Sequence, residues 1–280
     1  MPLAAIAYPQ IDPVFFHIGP LPIRWYALAY LVGLVGGWLY ARALVRNDAL
    51  WGASPRPALT SIDDLLVYVA FGVILGGRVG YVLFYNFDFF LAHPARIFAV
   101  WEGGMAFHGG LAGAALAIWL FARRNLVSAL TVADICAAVV PIGILLGRLA
   151  NFIKPELWGR VSDVGWAMVF PGAGPLPRHP SQLYEAALEG LLLLIVLYFA
   201  ARMGALKRPG FTAGLFGAGY GAARIICEFF REPDPQLGFL FGSATMGMLL
   251  SIPLIVVGIW LMWVASHRPV REAESGRSEI

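Results

Sequence analysis

The amino-acid sequence predicts an all-α membrane protein, a polytopic bundle of about seven transmembrane helices. Three observations carry that prediction. Hydrophobic residues make up 59% of the 280 and charged residues only 13%, with a mean hydropathy of +0.73. Soluble chains average about 25% charged and about 45–50% apolar. The chain also divides into apolar runs near the ~20 residues a helix needs to cross a ~30 Å hydrocarbon core. Finally, Lys and Arg are distributed unevenly among the loops between those runs.

The expected spans are roughly 23–43, 64–86, 105–122, 132–152, 182–201, 211–230 and 243–265. The first is preceded by a proline-broken stretch without a basic segment, so it is expected to stay as an anchor rather than be cleaved. Ser61-x-x-Asp64 and Thr131-x-x-Asp134 resemble capping boxes at the starts of the second and fourth. The third is short and glycine-rich at its start, which suggests a partly re-entrant segment. Pro155 is expected to end the fourth. At the fifth, Pro180 in the first turn and Glu185 near the positive end of the dipole suit a helix start. Glu189 lies deeper, where it can pair with an arginine inside the membrane. No linker separates a second domain, so residues 1–280 read as one integral membrane domain.

Placing the N-terminus outside puts eleven Lys and Arg on the inner side, including Arg271 and Arg277 in the tail. Six fall outside and three lie within spans. That bias gives a periplasmic N-terminus and a cytoplasmic C-terminus. Net charge is only +3 and no basic run is interleaved with aromatics, so nucleic acid is not an expected partner. The histidines lack metal-ligand spacing, and neither a metal nor another cofactor is expected. Cys136 and Cys227 sit inside apolar runs and read as small buried hydrophobes.

Charge inside the spans is where function is expected. Arg78, Arg148 and Arg224 fall in the second, fourth and sixth spans, each about 13–16 residues past the helix start, or ~20–24 Å from the inner face. All three therefore sit at one depth, near the outer headgroups. An arginine in a span costs several kcal/mol. Arg78 has no close polar companion in sequence and can snorkel or pair with an acid. Arg148 and Asn151 share a helix face, with Glu156 and Gly159 just beyond. Arg224, Glu228 and Arg231 form one stripe, in which Glu228 neutralises one arginine and the other is available to an anion. Guanidinium forks at headgroup depth point to a phospholipid phosphate. Tyr26 and His108 reach the same level. His108 either accepts a proton from a nucleophile or shapes the site.

The stretch GRLANFIKPELWG, residues 147–159, resembles the signature of the prolipoprotein diacylglyceryl transferase family, Gly-Arg-x-(Gly/Ala)-Asn-Phe-x-Asn-x-Glu-x-x-Gly. It departs at Lys154, where that family usually has Asn. IGPLPIRWYAL (18–28), GGRVGYVLFYN (76–86), GGMAFHGGL (103–111), RHPSQLYE (178–185) and GYGAARIICEFFREPD (219–234) are similar to the family as well. The resemblance implies transfer of diacylglycerol from phosphatidylglycerol to the lipobox cysteine in the signal segment of a preprolipoprotein. The product would be a thioether and the leaving group glycerol 1-phosphate, in the bacterial inner membrane. By position it implies roles for Tyr26, Arg78, His108, Arg148, Asn151, Glu156, Gly159, Arg224, Glu228 and Arg231. Two other classes compete. A transporter or flippase for an anionic lipid should place polar groups at several depths, and a phosphatidyltransferase of the inner face should carry an acidic metal-binding cluster there.

Overall fold

The computed structural model describes residues 6–233, 238–240 and 242–268; Arg271, Arg277 and Asp234 lie outside them. A short strand β1 (Ile6–Ala7) and a hairpin, β2 (Val14–Ile18) with β3 (Leu21–Arg24), precede the first helix. Then come α1 (Trp25–Arg46), α2 (Ser61–Phe84), the short α3 (Phe87–Ala92), α4 (Phe107–Arg124) and α5 (Ala129–Ile153). Strand β4 (Met168–Val169) follows and pairs in parallel with β1. The chain continues with α6 (Ser181–Arg202), α7 (Phe211–Glu228) and α8 (Met246–His267).

Each expected span is helical. Of these helices α1, α2, α5, α6 and α8 are long and apolar enough to cross a bilayer, and the protein is a polytopic membrane protein. The 18-residue α4 and α7 are not among those five. Glycines and a terminal Arg123–Arg124 pair dilute the apolar character of α4, and four glycines with Arg224 and Glu228 dilute that of α7. The segment expected to be re-entrant is a continuous α-helix from Phe107.

Neither expected capping box forms. Helix α2 begins at Ser61 itself, behind a Thr60 that makes no side-chain cap. Helix α5 begins before Thr131, and Ser128 caps it by accepting from the Leu130 amide. That frees Asp134 for another task. Fully buried, its carboxylate accepts from the Gly210 and Ala213 amides at 2.7 Å each. It thus caps the first turn of α7 from a neighbouring helix, where exposed N–H groups need an acceptor.

In lipid, helices gain little by burying apolar surface against one another, so close backbone approach does the work. Gly72, Gly76 and Gly80 on α2 meet Gly109 and Gly113 on α4 in this way. A methyl at Gly80 would lie 2.9 Å from Gly109 Cα, and one at Gly76 would lie 2.8 Å from Gly113 Cα. One end of the bundle is sealed by an apolar cluster around Trp51, Phe121, Leu206 and Ile62. At the other end Tyr8 packs with Phe152 and Phe170 and donates to the Phe152 carbonyl at 2.6 Å. This contact and the β1–β4 pair tie the N-terminal segment to the loop after α5. The polar site lies at this second end.

Candidate functional site

Arg148 on α5 and Arg224 on α7 converge on the same two acids of α6. Arg148 Nε lies 3.3 Å from Glu185 Oε2, and its Nη2 lies 3.4 Å from Glu189 Oε2. Arg224 Nη1 lies 2.7 Å from Glu185 Oε1 and 3.5 Å from Glu189 Oε1. Its Nη2 lies 2.5 Å from Glu228 Oε1, four residues on. Arg231 Nη1 approaches Glu185 Oε1 at 3.2 Å. Glu185 therefore touches three guanidiniums and is wholly buried, as is Glu189.

The backbone of α6 places both acids. After one α-helical turn it widens into a π-helical segment, Ala186–Leu192, a distortion often found at functional sites. The sequence shows Glu185 and Glu189 at helical spacing but carries no sign of the π segment. Glu185, read from sequence as a helix-start residue, is instead the hub of the network. Glu189 pairs as expected, with two arginines rather than one. Glu228 holds Arg224. Helix α7 ends at Glu228, so Arg231 lies past the helix rather than on its stripe. The expectation that this second cation is available to an anion is corrected, because Glu185 engages it.

A second polar group adjoins the first at the end of α5. Asn151 Nδ2 donates to Glu156 Oε1 at 2.8 Å, and Lys154 Nζ lies 2.7 Å from Glu156 Oε2. Lys154 also sits 5.9 Å from the Tyr26 ring centroid, and Tyr26 packs on Tyr30. The two groups are stitched together by Gln182 of α6, whose Nε2 donates to the Glu156 carbonyl at 2.6 Å. Lys154, the departure from the family signature, thus takes its place beside three residues the sequence singled out.

Arg78, His108 and Gly159 are placed elsewhere. The Arg78 guanidinium is buried and donates to five backbone carbonyls, those of Arg96, Ile97, Ala99, Gly103 and Gly104, at 2.5–3.2 Å. It closes the loop between α3 and α4 onto α2. His108 is exposed in the first turn of α4 against Phe107. It makes no hydrogen bond or ion pair with the arginine network among the described residues. Gly159 lies where the loop after α5 crosses the end of α7. Its amide donates to the His179 carbonyl at 2.9 Å, and a Cβ there would lie 2.6 Å from that oxygen. Arg160 then donates to the Glu228 and Arg231 carbonyls at 2.9 Å each, pinning the loop to the network. In the same loop, burial lowers the pKa of His179.

Three guanidiniums and three carboxylates balance formally, so the network tolerates burial. Removing one member strands an uncompensated charge, a change worth about 3–5 kcal/mol in buried pairs. Side-chain exposures of 19% at Arg148 and 14% at Arg224 leave part of each fork accessible. An accessible, always-charged fork held rigidly by carboxylates can receive phosphate oxygens.

The family model for prolipoprotein diacylglyceryl transferase matches residues 13–264. The chain is 66% identical over 263 residues to the phosphatidylglycerol–prolipoprotein diacylglyceryl transferase of Methylocella silvestris, covering 94% of this chain and 97% of the relative. The corresponding protein of Beijerinckia indica is 62% identical over 265 residues, with 94% and 96% covered. That of Nitrobacter winogradskyi is 56% identical over 275 residues, with 98% and 94% covered.

Proposed function

The chain belongs to the prolipoprotein diacylglyceryl transferase family, and from that premise we propose how its residues carry out the transfer. The protein is a diacylglyceryl transferase of lipoprotein biosynthesis, moving the diacylglyceryl group of phosphatidylglycerol to a prolipoprotein. The acceptor is the lipobox cysteine of the signal segment. Its thiolate attacks the diacylglyceryl carbon that carries the phosphate. The carbon–oxygen bond breaks, a thioether forms, and glycerol 1-phosphate departs with the bonding electrons.

Negative charge grows on the phosphate as that bond breaks. Arg148 and Arg224 stabilise it, since donors aimed at developing charge in a dry site are worth far more than in water. Glu185, Glu189 and Glu228 hold the forks in place, and Arg231 supports them through Glu185. Tyr26, Asn151 and Glu156 orient the headgroup glycerol. A thiol with a pKa of about 8.5 must lose its proton first, and we assign that proton to His108. Arg78 and Gly159 act on the site through the loops they fix.

The chain crosses the bacterial inner membrane seven times, through α1, α2 and α4–α8, with the N-terminus periplasmic and the site near the periplasmic leaflet. The loop charges support this orientation. The observation that carries the reading is the sharing of Glu185 and Glu189 by Arg148 and Arg224, which puts two guanidiniums within reach of one ligand. Incubating purified protein with phosphatidylglycerol and a lipobox peptide tests it. The expected result is a peptide mass gain of one diacylglyceryl group. Lipid movement without covalent product would instead favour a flippase.

A further inference from the structure

The loop that carries Glu156 is held in a conformation it would not adopt by itself. Leu157, the next residue, has a φ of 57°. That is the left-handed region, which is unfavourable for a residue with a β-carbon and persists only where the surroundings impose it. Here the first turn of α6 imposes it, through the two carbonyls of the loop. Gln182 Nε2 donates to the Glu156 carbonyl at 2.6 Å, and Ser181 Oγ donates to the Leu157 carbonyl at 3.0 Å. Both residues are wholly buried. The Oε1 of Gln182 has no partner among the described residues, and a buried unpaired oxygen is destabilising. An apolar side chain would fill the same space without that penalty, so the bond to the Glu156 carbonyl is what the amide contributes. The residues on either side of Leu157 serve different parts of the molecule. The Glu156 carboxylate accepts from Asn151, while Trp158 packs on the apolar cluster of Tyr8, Phe152 and Phe170.

We propose that Ser181 and Gln182 are positioning residues for the donor headgroup. By holding two successive carbonyls they keep Leu157 left-handed, and so fix the Glu156 carboxylate relative to Arg148 and Arg224. The proposal rests on the reading that the arginines receive the lipid phosphate and Glu156 orients the headgroup glycerol. One headgroup must meet both at once, yet the arginines stand on α5 and α7 and Glu156 stands on a loop. A single stretch of α6 ties them together. Ser181 and Gln182 grip the loop, and Glu185, three residues after Gln182, grips both arginines. Without the grip, Leu157 relaxes to an ordinary φ, and only a fraction of the molecules keep Glu156 in place. Apparent affinity for the donor falls by that fraction, whereas bound donor draws the loop back. The loss therefore falls on KM and spares kcat. Removing a group that meets the developing charge falls on kcat instead.

The test measures kcat and KM for phosphatidylglycerol, with a lipobox peptide, in wild type, Gln182→Met, Leu157→Gly and the double variant. Methionine is unbranched and adaptable like glutamine but lacks the donor. Gln182→Met is expected to raise KM by about tenfold, the effect of one lost buried hydrogen bond, with kcat within about threefold of wild type. Glycine adopts a positive φ freely. Leu157→Gly alone should therefore change little, and in the double variant it should return KM to within about threefold of wild type. Leu126 supplies the control, since its φ is also positive, at 55°, but it lies between α4 and α5. Leu126→Gly should leave the raised KM of Gln182→Met as it is. If Gln182→Met does not fold, Ser181→Ala with and without Leu157→Gly makes the same comparison. A lowered kcat at unchanged KM, or a raised KM that Leu157→Gly does not restore, means that the two residues only pack α6, and overturns the proposal. Failure of the wild type to transfer from phosphatidylglycerol is a different result, and would overturn the functional reading and this proposal with it.

Discussion

Arg78 and the Arg148–Arg224 pair sit at similar depth in the chain's helices yet are satisfied in opposite ways. Five backbone carbonyls surround Arg78. Those acceptors belong to one loop and are fixed by its fold, so the guanidinium is consumed in closing that loop. Arg148 and Arg224 are met by carboxylates from another helix, which hold the forks while leaving part of each exposed. Charge inside an apolar helix therefore does not by itself mark a ligand site. The kind of partner decides whether an arginine is enclosed as a latch or keeps part of its fork accessible.

The largest effect is expected from Arg224→Ala, which removes one of the two proposed phosphate receptors. Transfer should fall by about 10²–10³-fold in kcat, as when a preorganised donor is deleted elsewhere, measured by peptide mass gain. Activity within tenfold of wild type would move Arg224 out of the reacting centre. Glu185→Gln comes next. It keeps the shape but removes the charge shared by three guanidiniums, and should lower kcat by about tenfold to a hundredfold with a smaller change in KM, as expected for loss of preorganisation. Arg78→Lys offers three donors to five acceptors, so it should speed amide exchange and proteolysis in residues 96–104. Loss of kcat should stay below about tenfold, because a latch acts only through the loop. His108→Gln should lower the rate most at low pH, where thiolate is scarce and a base matters most; wild-type rates across pH would remove His108 from proton transfer. Lys154→Asn, the residue usual in the family, should be the mildest. A half-exposed ion pair is worth about 0–1 kcal/mol, so kcat/KM should stay within about fivefold.

Much of this was legible in the sequence. Apolar runs placed each of the seven long helices to within a few residues, because period and length are local properties, while the short α3 had no such run. Arg148 and Arg224 stood out as well, since a charge inside a span is conspicuous, and Asn151, Glu156 and Glu228 drew notice through their spacing from those arginines. The hub Glu185 was hidden by its position in the first turn of α6, where an acid already has a sufficient local reason. Its true role depends on a π-helical segment and on two other helices meeting there, and no local pattern encodes either. Asp134 was misread for the same reason: its spacing from Thr131 suggested a local cap, and its partners lie on α7, 76 and 79 residues away. Arg78 carried no sign of its acceptors because backbone carbonyls have no sequence signature.

The central claim is that Arg148 and Arg224 hold one phosphate between them. A structure of the protein bound to phosphatidylglycerol tests it most directly. Phosphate oxygens are expected within about 2.7–2.9 Å of nitrogens from both guanidiniums, with Glu185 and Glu189 still behind them. A phosphate seated away from α5 and α7, or held by only one of the two arginines, would contradict it.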